Sequence, residues 1–133
     1  MPAFERVSHV SFSARDADAC ARWLTDILGF RVLDRVEGPD WHGILLFHGP
    51  SATILEFQQH DGNAGEPFDP RRTGLDHVGF KVTDRASLVE WQDHFAASGV
   101  DFTPIADREY GSVLTFRDPD GRQFEMFYKA DHP

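Results

Sequence analysis

The sequence has a single cysteine, Cys20, so one chain cannot form an internal disulfide. Cys20 falls on the apolar stripe of a predicted helix, which favours a small buried core residue over a catalytic thiol. The sequence also lacks an apolar stretch long enough to span a bilayer, and no apolar run follows a basic N-terminal patch. These absences predict a soluble, cytoplasmic protein with no membrane association.

Basic residues are scarce as well. Thirteen lysines and arginines stand against 22 aspartates and glutamates, which gives a formal net charge of −9. This balance argues against nucleic acid as a partner and is favourable toward a cationic ligand. At 133 residues the chain fits one domain that can bury a core without disulfides or a structural metal.

What the sequence does contain is an internal repeat. The His-Val-small-Phe core of residues 9–12 recurs at residues 77–80, inside the stretch Gly-Leu-Asp-His-Val-Gly-Phe-Lys-Val. Both copies alternate with period two, which predicts half-buried strands. Val10 and Phe12 then share one face of the first strand, and His9 points to the other. His77 takes the same place in the second copy.

Each copy of this strand leads into the same order of predicted elements. A helix follows in each half, with Asp16 and Asp84 as N-caps and Gly29 and Gly99 as left-handed stops. Three short strands complete each half, predicted over residues 30–36, 44–47 and 53–59, and over 101–105, 113–116 and 123–128. The chain is therefore predicted to be a tandem duplication of a βαβββ unit.

An offset of 69 residues is predicted to align the last two strands of the halves without a gap. It matches Leu45 with Leu114, Phe47 with Phe116, Glu56 with Glu125, and Trp41 with Tyr110. We expect a single domain over 1–133, with module one at about 5–60, a connector at 61–73 and module two at about 74–130. The predicted class is α+β: the two modules form a cupped, mainly antiparallel sheet with the helices outside.

Alternation also orients the last strand of each half. The apolar residues around Glu56 and Glu125 share one face, so both glutamates are expected on the side of His9 and His77. Burying uncompensated carboxylates costs several kcal/mol, and a divalent metal would compensate them. Two other interpretations stay open: the histidines are hydrogen-bonded structural residues, and the glutamates face water or pair with Arg117 or Arg122.

Two imidazoles and two carboxylates suit Zn, Ni, Co, Mn or Fe(II) and exclude none of them firmly. Four protein ligands in an octahedral shell leave two positions for two waters or two vicinal oxygens of a substrate. Such a Lewis-acid centre can stabilise an enediolate or an oxyanion, with Glu56 or Glu125 available as base.

The paired modules, the His-Val-x-Phe strands, the Ile-Leu-Glu-Phe and Phe-Glu-Met-Phe strands and the Asp-Pro-Asp-Gly turn at 118–121 resemble the vicinal oxygen chelate superfamily. This superfamily includes glyoxalase I, extradiol dioxygenases, methylmalonyl-CoA epimerase, and fosfomycin and bleomycin resistance proteins. The resemblance implies metal ligands at His9, Glu56, His77 and Glu125, in the His, Glu, His, Glu order of glyoxalase I. It also implies a homodimer, with the site built from both modules of one chain or from modules of two chains.

Three functions are compatible with the resemblance. The first is a metal-dependent lyase or isomerase of the glyoxalase I type, and the second is a protein that sequesters a drug or natural product, as bleomycin resistance proteins do. The third is a ring-cleaving extradiol dioxygenase. No basic cluster that would bind a tripeptide thiol stands out in the sequence. The candidates for contact with a substrate are Arg31, Arg35, Arg71, Arg72, His42, His48, His60, Trp41 and Tyr110.

Overall fold

The structure, a computed structural model, describes residues 1–132 and has the predicted α+β architecture. The first module comprises β1 (Val10–Ser13), α1 (Ala17–Leu28), β2 (Arg31–Glu37), β3 (Trp41–His48) and β4 (Thr53–His60). The second comprises β5 (His77–Lys81), α2 (Arg85–Ser98), β6 (Phe102–Arg108), β7 (Gly111–Arg117) and β8 (Gln123–Tyr128). The chain divides into two compact units, and the boundary between them falls between Glu66 and Pro67, within the predicted connector. That the units form one domain stays a prediction.

Each module contains one four-stranded sheet with the same order of strands. The first sheet has the order β1-β4-β3-β2, and the second has the order β5-β8-β7-β6. In each sheet the first and last strands of the module pair in parallel, and the other two pairings are antiparallel. The predicted predominance of antiparallel pairing is confirmed within each module. In the second module the strand that carries His77 thus lies beside the strand that carries Glu125. In the first module β1, which begins directly after His9, lies beside the strand that carries Glu56.

Both helices begin and end where the sequence predicts. The Asp16 side chain accepts a hydrogen bond from the Ala19 N–H, and the Asp84 side chain accepts one from the Ser87 N–H. Gly29 and Gly99 adopt left-handed conformations with φ of 72° and 67°, which cost glycine little because it has no Cβ. These caps satisfy backbone groups that a helix end otherwise leaves without partners.

The core of each module lies between its helix and one face of its sheet. Cys20 is fully buried there, as the sequence predicts, beside Leu24. The sheet contributes alternate residues of its central strands, so their neighbours in sequence lie on the opposite face. The buried apolar residues on these strands include Ile44, Leu46, Leu55, Phe57, Leu114, Phe116, Phe124 and Met126.

The third strands of the modules depart from the predicted alignment by one residue. Leu45 of β3 pairs with Glu56, whereas Thr115 of β7 pairs with Glu125. Thr115 therefore occupies the position of Leu45, and the predicted match of Leu45 with Leu114 is wrong. A shift of one residue reverses the face of every side chain in a strand.

A difference in turn length explains the shift. Four residues, 49–52, lie between His48 and Thr53, the last pair of β3 and β4. In the second module the corresponding pair is Asp118 and Arg122, joined by a 3.1 Å backbone hydrogen bond, and only residues 119–121 lie between them. The predicted equivalence of Trp41 and Tyr110 is wrong for the same reason, because the shift makes Gly111 the residue equivalent to Trp41.

The turn between β7 and β8 contains a buried group of charges. The Arg122 guanidinium hydrogen-bonds to the carboxylates of Asp118 and Asp120, and each of the three residues is only 6% exposed. Asp118 also accepts hydrogen bonds of 2.9 Å from the N–H groups of Asp120 and Arg122. Burial raises the pKa of Asp118, and the positive charge of Arg122 opposes that rise. The group fixes the shape of the shorter turn.

Among residues 1–132, no helix is both long enough and apolar enough to cross a membrane.

Candidate metal centre

The second module brings together the predicted pair His77 and Glu125. In the parallel register of β5 and β8, His77 pairs with Gln123 and Gly79 pairs with Glu125, which puts both side chains on one face. The Nε2 atom of His77 lies 3.5 Å from the Oε2 atom of Glu125. Phe124 is buried on the opposite face, toward the helix. His77 and Glu125 therefore lie on the same face of the second sheet, as expected from the alternation of the two strands.

Two neighbouring side chains hold this pair. The Nδ1 atom of His77 lies 2.7 Å from the Oδ1 atom of Asp76. The hydroxyl of Thr115 donates to the other oxygen of Glu125, Oε1, over 3.4 Å. Neither Asp76 nor Thr115 was singled out from the sequence. The position of Asp76 directly before His77 could have indicated its role. Thr115 can be recognised as a neighbour of Glu125 only when the register of β7 is known.

In the first module, Glu56 lies on the face of β4 opposite the buried side chains of Leu55 and Phe57, and it pairs in register with Ser11. It is itself only 6% exposed. The side-chain amide of Gln58 donates to Glu56 Oε1 over 3.2 Å. A carboxylate this buried needs compensation for its charge, and one neutral amide supplies only part of it.

Gly43 makes room for that carboxylate. A Cβ atom at Gly43 would stand 2.7 Å from Glu56 Oε1, closer than non-bonded atoms approach each other. Sequence reasoning passed over Gly43, because an isolated glycine in a strand indicates only a close approach of some kind.

His9 lies directly before β1, so that it precedes Val10, the register partner of Leu55. Its side chain is exposed, and its Nδ1 atom lies 3.2 Å from the hydroxyl of Ser8. In each module, then, the Nδ1 atom of the histidine contacts the side chain of the preceding residue, which leaves Nε2 to face away from that contact.

The described ion-pair partners of Arg117 and Arg122 are aspartates. Arg117 lies 3.6 Å from Asp101 and donates to the Thr103 hydroxyl over 3.2 Å. Arg122 is bonded within its turn, as described above. The interpretation in which these arginines neutralise the two glutamates receives no support from these contacts.

The donor atoms of the second module fit a divalent cation. Two ligands at about 2.0–2.2 Å from one ion lie roughly 2.8–3.6 Å apart at angles between octahedral and tetrahedral. The separation of 3.5 Å between His77 Nε2 and Glu125 Oε2 lies within that range. Within residues 1–132, no three or more His, Cys, Asp or Glu side chains form a group that could hold a metal. The contact between His77 and Glu125 brings two donors together in the second module.

The other histidines considered from the sequence have local partners. His42 lies 3.9 Å from Asp18, and His48 lies 2.7 Å from the Ser51 hydroxyl. The His60 ring lies 6.4 Å from the Trp41 ring, centroid to centroid. The Trp41 indole also packs against Gly38, which indicates a local structural role in its hairpin.

The candidate arginines likewise have contacts near them in the fold. Arg35 pairs with Asp18 at 2.9 Å, and Arg71 pairs with Asp69 at 2.9 Å. Arg31 stacks over the Phe47 ring at 5.0 Å. Tyr110, by contrast, is largely exposed. These contacts give no sign of a basic cluster built for a tripeptide.

A cavity of about 290 Å³ opens beside His9 in the first module. Its lining includes Arg6, Ser8, His9 and Thr53. It is thus large enough for a small molecule and adjoins one of the four predicted ligands.

The fold and the paired His–Glu strands define the class of the protein. The model of the Glyoxalase/Bleomycin resistance protein/Dioxygenase superfamily matches residues 6–126, and the chain belongs to that superfamily. The predicted resemblance is confirmed at this level. It covers both modules and all four candidate ligands.

Individual relatives show the range of activities in the superfamily. The chain is 28% identical over 125 residues to the putative ring-cleaving dioxygenase MhqA of Bacillus subtilis, covering 92% of this chain and 39% of that protein. It is 27% identical to the lactoylglutathione lyase GLX1 of Arabidopsis thaliana, covering 96% of this chain and 46% of that protein. The chain therefore spans less than half the length of these relatives.

Among solved structures, a glyoxylase/bleomycin resistance protein/dioxygenase domain from Frankia sp. EAN1pec has the same fold. It superposes with a TM-score of 0.85 at 33% identity, over 94% of this chain and 98% of that domain.

Proposed function

We propose that the protein is a metal-dependent lyase or isomerase of the glyoxalase I type, acting on a small substrate with two vicinal oxygens. His9, Glu56, His77 and Glu125 would hold one divalent ion, and Zn, Ni, Co, Mn and Fe(II) all suit this donor set. The observation that carries the proposal is the approach of His77 Nε2 to Glu125 Oε2, at 3.5 Å, on the sheet face opposite the helix. The similarity to GLX1, a lactoylglutathione lyase, supports it.

A bound divalent ion would supply Lewis acidity, which would make the C–H group beside the vicinal oxygens of the substrate easier to deprotonate. Glu56 or Glu125 accepts the proton from that carbon and returns it to the neighbouring carbon. Gln58 and Thr115 each donate a hydrogen bond to one oxygen of these carboxylates and so restrict their orientation. No electrons leave the substrate, and the reaction is redox-neutral.

A ring-cleaving dioxygenase is the second candidate, and a specific observation favours it. MhqA, the relative at 28% identity, is described as a putative ring-cleaving dioxygenase. Two histidines and one carboxylate are the ligand set of many non-haem Fe(II) oxygenases, and the four proposed ligands would include that set and one further glutamate. The reaction would consume oxygen, which the lyase reaction does not.

Assembly belongs to the same proposal. We infer a homodimer, as the family resemblance implies, with the four ligands drawn from one chain or from two. Native mass spectrometry with and without metal tests this, and the expected species is a dimer that binds about one ion per complete ligand set.

The deciding experiment is an activity assay of the metal-reconstituted protein. We expect turnover of methylglyoxal in the presence of a thiol with one or more of Zn, Ni, Co and Mn, and no turnover by Glu125→Gln. Oxygen uptake with catechols in the iron-loaded form alone would assign the protein to the dioxygenases. Tight, metal-independent binding of a cationic antibiotic without turnover would instead indicate a sequestering protein.

A further inference from the structure

We propose that Asp76 is a positioning residue that orients His77 and fixes which of its ring nitrogens carries the proton. The proposal rests on the function above, because it concerns how one ligand of the proposed metal centre is made ready. Asp76 itself would not touch the metal. It would act through the His77 ring.

The hydrogen bond between the two residues assigns the tautomer. His77 Nδ1 lies 2.7 Å from Asp76 Oδ1, a distance typical of a hydrogen bond to a charged group. An ionised carboxylate can accept but not donate, so the proton of this bond is on Nδ1. A neutral imidazole carries one proton only, and Nε2 therefore keeps its lone pair.

The atom that keeps this lone pair lies near a second carboxylate. His77 Nε2 lies 3.5 Å from Glu125 Oε2, beyond the usual range of about 2.7–3.2 Å for a hydrogen bond from nitrogen to oxygen. A divalent ion between these two electron-rich atoms would be stabilised by both of them, and the Asp76 contact prepares the ring to bind it.

The first module lacks this arrangement. Ser8 precedes His9, and its hydroxyl lies 3.2 Å from His9 Nδ1. A hydroxyl can both donate and accept, so Ser8 does not impose a tautomer. The two histidines of the proposed centre are therefore unequal: His77 is fixed before metal binds, and His9 is not.

Asp76 is open to change without damage to the core. Its side chain is 59% exposed, and that of His77 is 44% exposed. Water can replace an exposed partner, so the contact is not required to satisfy a buried group. An Asp76 variant is therefore expected to fold normally, which makes the role testable.

The test measures the tautomer and the metal affinity separately. Nitrogen-15 NMR of the metal-free protein should show His77 with its proton on Nδ1 in the wild type, and with a substantial Nε2–H fraction in Asp76→Ala. Competition titration with Zn²⁺ should show Asp76→Ala weaker than wild type by about 10- to 100-fold. Asp76→Asn should keep the tautomer, because its amide oxygen still accepts, and should recover part of the affinity. Ser8→Ala removes the corresponding contact of the other histidine and is the matched control for the NMR measurement, in which it should leave the His77 tautomer unchanged.

An unaltered His77 tautomer in Asp76→Ala, or an unaltered Zn²⁺ affinity, would overturn the role of Asp76 while leaving the proposed function intact. Failure of the wild type to bind Zn²⁺ or any other divalent ion would refute the proposed ligand set instead. The tautomer measurement would still decide whether Asp76 orients His77.

Discussion

Gly43 on β3 makes room for the side chain of Glu56 on the neighbouring strand β4: a Cβ atom at Gly43 would lie only 2.7 Å from Glu56 Oε1. Because the atom in the way is the end of a flexible side chain, Gly43→Ala should move that carboxylate and leave the backbone in place. We expect weaker metal binding with a change in the free energy of unfolding of no more than about 1 kcal/mol. Titration with metal and chemical denaturation measure the two effects.

Gly62→Ala is the control for that substitution. Gly62 lies in the turn after β4, and a Cβ there would meet no atom within 4 Å. It should bind metal like the wild type. Equal losses of affinity in both variants would contradict the role assigned to Gly43.

His77→Ala and Glu125→Ala should each abolish metal-dependent activity and leave the metal-free fold largely intact. Both side chains lie on the face opposite the helix, so the core beneath them is not touched. Thermal melting of the metal-free proteins should give midpoints close to that of the metal-free wild type. For comparison, Phe124→Ala removes a fully buried ring and should cost about 3–5 kcal/mol. Ligand variants that melted as early as Phe124→Ala would show that the pair is structural.

Arg122→Met should be strongly destabilising, by about 3–5 kcal/mol, because it leaves the buried carboxylates of Asp118 and Asp120 without their cation. Denaturation in urea measures the loss. Arg85→Met removes an arginine from an ion pair as well, but its partner Asp107 is on the surface, and little change is expected. A similar stability for the two variants would argue against the importance of burial in the turn.

The same surface pair has a pH signature. Hydrogen bonds from Arg85, and then from Ser112, lower the pKa of Asp107 from 3.8 to about 2. The folded protein therefore holds this carboxylate ionised more readily than the unfolded chain does. The resulting stabilisation is fully present above about pH 3.8 and is lost as the pH falls toward 2. Carbon-13 NMR titration should find this low value in the wild type and a value closer to 3.8 in Arg85→Met.

The local structure of both modules could be predicted from the sequence because each signal acts over a few residues. Asp16 and Gly29 mark the first helix by capping chemistry, and alternation gives the facing of Glu56 and Glu125. The family, confirmed by the match over residues 6–126, followed from the order of these signals along the chain. That the four residues bind one metal stays a prediction.

The register of the third strands could not be predicted in the same way. In β3 the run Ile-Leu-Leu-Phe is apolar on both faces, so alternation gives no phase there, and the chance match of Leu45 with Leu114 favoured the wrong offset. Pairing between strands decides the register, and that depends on the length of the following turn. The buried contacts of Arg122 could not be predicted either, because a charged residue in a turn ordinarily faces water.

The parallel pairing of β1 with β4 has a consequence for the order in which the chain folds. Residues 10–13 have no strand partner in their sheet until residues 55–58 have been synthesised, because β1 contacts only β4 within that sheet. During translation the segment that carries His9 must therefore wait, unpaired, while the α1 segment and the β2–β3 hairpin emerge and become able to form from local contacts. His9 is thus synthesised first of the four candidate ligands, but its segment is among the last parts of the module to become ordered. On a ribosome stalled before β4, the segment that carries His9 would have no strand partner.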